Sequence, residues 1–158
     1  MTRTLALLAA LVALVLVGCG GGDQPAQLSK DQYIKELNAA GKALSTSFGS
    51  LGQGIGNTKD TAALGSKFSD ASKVLRDASK KIGDINPPDN AKDANKKLAD
   101  GLNAMADSFD AIGKETKGSS SDPTKLLPKI NALTSSKGIQ QVTAAINDLK
   151  AKGYNVSN

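Results

Sequence analysis

From residue 28 onward, apolar side chains recur in steps of three and four, the spacing that lines one face of an α-helix. In the first such stretch they fall at positions 33, 37, 40, 44, 48, 51 and 55. Ser29 precedes it as an N-cap and Gln32, three residues on, completes a capping box. Leu28 and Tyr33 occupy the two positions of a hydrophobic staple. Gly49, Gly52, Gly54 and Gly56 weaken the last turns by about 1 kcal/mol each relative to alanine, so fraying is expected near Gly52. The second stretch reads as three sevens, Leu64–Asp70, Ala71–Asp77 and Ala78–Asp84. Each has a small or apolar residue first, a large one fifth (Phe68, Leu75, Ile82) and Asp last. Such a repeat keeps one seam facing a partner helix. Gly83 is the expected stop, and Pro87-Pro88 bars continuation. Asn86 and Pro87 suit the cap and first position of a third helix. Its stripe runs through 91, 94, 98, 102, 105, 109 and 112, with an end expected between Gly113 and Gly118.

The last segment is less regular. Asp122-Pro123 looks like a cap and first-turn proline, yet Pro128 would break the hydrogen-bond ladder of a helix begun there. Leu126, Ile130 and Leu133 share one face, whereas Ile139, Val142, Ile146 and Leu149 fall nearly opposite at 100° per residue. A break between Ser135 and Gly138 resolves the conflict, with Gly153 as the final stop. No alternating strand pattern emerges. The expectation is therefore all-α: an antiparallel four-helix bundle over residues 29–153 whose fourth helix is broken, followed by a loose tail at 154–158.

Residues 1–28 follow a different pattern. Arg3 is followed by thirteen consecutive Leu, Ala and Val residues, Leu5–Val17. Thirteen helical residues reach only about 20 Å, short of a bilayer core of roughly 30 Å. A basic start, a short apolar core and small residues after it make the plan of a secretory signal. The run closes on Leu16-Val17-Gly18-Cys19, which resembles the lipobox of bacterial lipoproteins. The resemblance implies attachment of a diacylglycerol through a thioether on Cys19. It also implies cleavage before Cys19 by signal peptidase II, with Leu16, Val17 and Gly18 as the recognised residues, and admits a further acyl chain, such as palmitate, on the new amine. It covers residues 1–22 alone. Cys19 is the only cysteine, so it cannot close an internal disulfide. Two or three acyl chains, at about 0.8 kcal/mol per buried methylene, give stable anchoring where one is marginal. Residues 19–28, opening Cys-Gly-Gly-Gly, read as a flexible tether. Residue 20 is Gly, not the Asp that resembles an inner-membrane retention signal. The expected location is extracytoplasmic, on the cell membrane, or on the outer membrane of an organism with two.

Composition narrows the chemistry. Removing the first 18 of 158 residues leaves 140 and takes Arg3 away, bringing the formal charge from +5 to +4. That excess favours anionic surroundings such as headgroups or wall polymers. Three Phe, two Tyr and no Trp leave little to stack on bases, so no nucleic-acid partner is expected. There is no histidine, which removes the commonest general base and metal ligand. The serines lack a Gly-x-Ser-x-Gly elbow. Ser72-Lys73 and Ser79-Lys80 are adjacent pairs whose side chains point about 100° apart on a helix. Gly49–Gly56 lacks the Gly-Lys-Ser/Thr ending of a phosphate loop.

Asp70, Asp77 and Asp84, like Asp93, Asp100 and Asp107, recur every seven residues, about 10 Å apart along one helix. Five Asp/Lys pairs four apart (31/35, 77/81, 93/97, 110/114, 148/152) read as wet helix faces rather than a metal site. Phe48, Phe68, Met105 and Phe109 line a cavity or, by default, fill the core; Gly41 and Gly101 permit close helix approach or leave a groove. No catalytic residue, metal or cofactor beyond the lipid is expected. The expected role is structural or protein-interacting, in the bacterial envelope; the alternative is a module holding a small apolar or anionic ligand between helices.

Overall fold

A computed structural model describes residues 25–56, 61–118 and 127–156. The expected signal peptide, the lipobox residues Leu16, Val17, Gly18 and Cys19, the Asp122-Pro123 cap and the last two residues lie outside the described residues. Five helices follow in order: α1 (Lys30–Gly56), α2 (Thr61–Gly83), α3 (Lys92–Gly118), α4 (Leu127–Thr134) and α5 (Lys137–Ala151). A single 3-10 turn, Asp89–Ala91, leads into α3. The fold is an all-α bundle with antiparallel neighbours, and α4 and α5 are the two pieces of the broken fourth helix.

The capping box at the start of α1 forms as read: the Ser29 amide donates to Gln32 Oε1 at 2.9 Å and the Gln32 amide to Ser29 Oγ at 3.3 Å. The helix continues past Gly52 to Gly56, so the expected fraying does not end it early. The sevens of α2 place Phe68, Ala71, Leu75, Ala78 and Ile82 in the core, each at most 7% exposed. Large side chains buried so fully stabilise the fold by about 1.5–3 kcal/mol apiece. Gly83 does not stop α2 in a left-handed conformation; it is the last helical residue, and the Asp84 amide still reaches Lys80 O at 2.9 Å.

The start of α3 differs from expectation. Asn86 does not cap it and Pro87 is not its first residue. Both prolines precede the helix, and Pro88, extended at φ −53° and ψ 148°, stands at the cap of the 3-10 turn. The reason is that residue 87 precedes a proline and is held out of the helical region. Asn86 instead turns its side chain back to the N-terminal segment, donating to Pro25 O at 2.8 Å.

Helix α3 is the centre, with α2 and α5 against it. Contacts pair Ile82 with Asn95, Ser79 with Ala99 and Gly65 with Gly113, an antiparallel register along the whole of α2. At the other flank, Gly101 and Gly138 bring the backbones of α3 and α5 together. A Cβ at Gly138 would stand 2.7 Å from the Met105 amide nitrogen and 2.8 Å from Gly101 O. A Cβ at Gly101 would stand 2.9 Å from Val142 Cγ2. Gly101 thus serves close approach, while Gly41 on α1 has nothing within 4 Å of where its Cβ would be.

The break falls at Ser135-Ser136, and Ser136 caps α5 by accepting from the Ile139 amide at 3.4 Å. Pro128 lies in the first turn of α4, where its missing N–H costs nothing. Gly153 ends α5 at φ 79°, its amide reaching Lys150 O and that of Tyr154 reaching Leu149 O, both at 2.9 Å. This is a Schellman stop, with Tyr154 and Leu149 as its apolar pair. The expected loose tail therefore fails at Tyr154, which is 1% exposed. The turn aims its ring into the core, which a reading of the tail as polar leftovers misses.

Gly138→Ala is expected to lower stability by about 1–3 kcal/mol, because backbone atoms of Met105 and Gly101, besides the movable Met105 side chain, block the new methyl. Gly41→Ala should raise it by about 0.5–1 kcal/mol through helix propensity alone. Urea unfolding followed by circular dichroism separates the two.

Candidate functional site

The residues that sequence singles out for chemistry do not converge. Ser72 and Ser79 are buried, and Ser79 Oγ donates to Ala99 O at 2.9 Å across the α2–α3 seam. Lys73 and Lys80 lie in solvent, paired with Asp70 at 3.8 Å and Asp84 at 2.6 Å. Neither serine has its lysine as a base.

Four of the six column aspartates, Asp70, Asp84, Asp100 and Asp107, are paired at the surface. Asp100 meets Lys96 at 2.7 Å, and Asp107 meets Arg76 at 2.8 Å, the latter bridging α2 and α3. Asp110–Lys114 and Asp148–Lys152 close at 2.8 Å each. Asp31–Lys35, Asp77–Lys81 and Asp93–Lys97 do not close among the described residues. No group of three or more acidic or cysteine side chains able to hold a metal ion occurs among the described residues. Phe48, Phe68 and Phe109 pack on one another, with centroids 5.7 and 5.8 Å apart, and fill space rather than line it.

Two features stand out instead. The first is a buried polar cluster at one end of the bundle. Asn95, 5% exposed, accepts from the Tyr33 hydroxyl at 3.0 Å and donates through Nδ2 to Ile82 O at 2.9 Å. The ring of Tyr154 meets that of Tyr33 edge-on at 5.5 Å, and its hydroxyl donates to Asn90 Oδ1 at 2.5 Å. Lys30 Nζ stands 5.2 Å from the Tyr154 centroid, within cation–π range. Burial pushes the Tyr33 phenol well above its ordinary value, and the neighbouring Tyr154 adds to the shift. No buried side-chain polar atom is left unpaired among the described residues. The cluster is thus a satisfied lock between helices.

The second is an open-sided groove of about 610 Å³ between α1 and α2. Its floor is Ala40, Leu44, Val74, Ala78, Ile82 and Ile85, and Glu36, Asp77 and Lys81 stand along its rim. It exists because α1 is packed unevenly. Tyr33 and Leu37 are buried, while Ala40, Leu44 and Phe48 on the same stripe are only half-buried. Sequence periodicity named Ala40, Leu44, Ala78 and Ile82 but not Val74, Ile85 or the gap between the helices. A usable signal was the set of alanines at 39, 40 and 43, too small to close the space. The groove reaches the size of small-ligand sites and opens along one side. No protein-family profile, curated protein or solved structure matches the chain.

The phenol sets a pH dependence. An unfolded chain releases the Tyr33 proton near pH 10.0, whereas the folded chain holds it beyond that. Above pH 10 the unfolded state therefore binds fewer protons, and stability must fall as pH rises. Tyr33→Phe should remove this alkaline slope while costing about 1–3 kcal/mol at neutral pH, because Asn95 loses its donor. Thermal melts between neutral and alkaline pH measure both effects.

Proposed function

We propose that this chain is a lipid-anchored, extracytoplasmic helical protein of the bacterial envelope that acts through binding or structural contact rather than catalysis. The observation that carries the reading is Leu16-Val17-Gly18-Cys19 at the end of a thirteen-residue apolar run, with the chain's only cysteine at the modified position. Among the described residues no helix is long and apolar enough to cross a membrane. In this reading the attachment is through acyl chains on Cys19, cleavage having followed recognition of Leu16, Val17 and Gly18. The serines, lysines and aspartates already engaged in packing and surface pairs support a role in contact. The helical domain offers the envelope a wet, mixed-charge surface and the apolar groove between α1 and α2.

The groove favours a second reading, a module that holds a small ligand. Its apolar floor suits an apolar molecule. Glu36 and Asp77, which have no ion-pair partner among the described residues, disfavour an anionic one.

Cells fed radiolabelled palmitate should label the protein and yield a mature chain beginning at residue 19. Cys19→Ser should abolish the label and leave the first eighteen residues in place by intact mass. An unlabelled parent protein would refute the anchor. If the second reading holds, native mass spectrometry of the purified protein should find a bound apolar molecule that Ala43→Trp displaces.

A further inference from the structure

We propose that the end of the bundle formed by the start of α1, the residues 85–89 turn and the end of α5 is the face that stands against the lipid bilayer. The proposal rests on the lipid-anchor reading of Cys19 and adds an orientation to it. Its basis is a clamp on the segment before α1. The Leu28 amide donates to Asn86 O at 2.9 Å, and Asn86 Nδ2 returns a bond to Pro25 O at 2.8 Å. Gln27 Nε2 reaches Pro87 O at 3.2 Å and Asp89 Oδ1 at 2.9 Å. The Leu28 side chain packs on the core. Composition alone extends the tether to residue 28, but the chain joins the fold at Pro25.

That difference sets a distance. From Cys19 to Pro25 is six residue steps, which span at most about 22 Å however they are arranged. Without the clamp, nine steps to Leu28 would allow about 32 Å. Helix α1 is 27 residues long, about 40 Å. The clamped end therefore cannot leave the membrane by more than about half the length of the bundle, while the opposite end has no such limit. Charge adds little to this apposition: Lys30 is held over the Tyr154 ring at 5.2 Å. Lys92 and Lys152 at the clamped end are already paired with Asp89 and Asp148, at 2.7 and 2.8 Å. Reach sets the orientation, so salt should not change it.

The test uses the full-length protein in phosphatidylcholine vesicles carrying an acceptor-labelled lipid. The only native cysteine is consumed by the lipid, so an added one takes a donor dye alone. Asn155→Cys marks the clamped end and Ser66→Cys marks α2 seventeen residues before its last residue, Gly83, a rise of about 26 Å. Energy transfer from position 155 should exceed that from 66 severalfold and stay constant from low to high salt. Inserting about ten Gly/Ser residues between Gln24 and Pro25 should bring the two values together. Equal transfer from both positions of the unextended protein, or more from 66, overturns the orientation. Flotation of the parent beside the same chain begun at Gly20, which lacks both the apolar run and Cys19, separates the two failures. If both float alike, the anchor reading and the orientation fall together; if only the parent floats and transfer is equal, the orientation alone falls.

Discussion

One amide side chain holds three helices in register. Asn95 projects from α3 into a site only 5% exposed, where it accepts from Tyr33 of α1 and donates to the carbonyl of Ile82 in the last turn of α2. In a low-dielectric interior such bonds are strong, and losing any one of them strands a partner. A slip of α3 by a single residue would break both bonds at once, and a slip of α1 or α2 would break one. Apolar seams of Ala and Leu tolerate sliding far better, so the asparagine, with the buried Ser79–Ala99 bond, supplies register that apolar contact alone does not. The C-terminal turn completes the arrangement by laying Tyr154 on the Tyr33 ring and reaching Asn90.

Packing loosens away from that end, and unevenly. Helix α3 is pressed on both flanks by glycine contacts, Gly113 against Gly65 of α2 and Gly101 against Gly138 of α5. Helix α1 has no such contact at its described glycines, Gly41 and Gly49, which face open space. It is fixed at its start by the capping box, Leu28 and Tyr33, then diverges from α2 over small alanines. The groove is the residue of that divergence. Tight backbone seams and an open groove thus arise from one distribution of small residues: glycine facing a helix draws it in, and alanine facing a gap leaves it unfilled.

Much of the fold was legible in the sequence because its determinants are local or periodic. The capping box, the sevens of α2, the Gly153 stop and the change of face near Ser135 each depend on residues a few positions apart. The start of α3 was misread because a proline pair admits two geometries. The choice between them depends on Asn86, which the folded chain employs sixty-one residues away at Pro25. Asn95 was invisible to a stripe of apolar positions, since a polar residue beside Ala94 reads as solvent-facing until its partners are known. Tyr154 was lost for the same reason, in a tail of polar neighbours. Of the candidate site, the resemblance to a lipobox is a pattern in residues 16–19 and is read only there. The groove depends on how far two helices splay, which periodicity does not encode.

The docking of Tyr154 has a consequence for topology. An even number of up-and-down passes returns the chain to its starting side, and here both termini of the described fold lie on the same turn, Pro25 on Asn86 and Tyr154 on Asn90. A fusion partner joined after Val156 would emerge beside the segment that precedes Pro25 and compete with it for space. One spliced between Gly56 and Thr61 would be displayed at the other pole, about 40 Å away along α1. For a protein read as tethered through its first residues, the second graft is the one that leaves the lock between the tyrosines undisturbed.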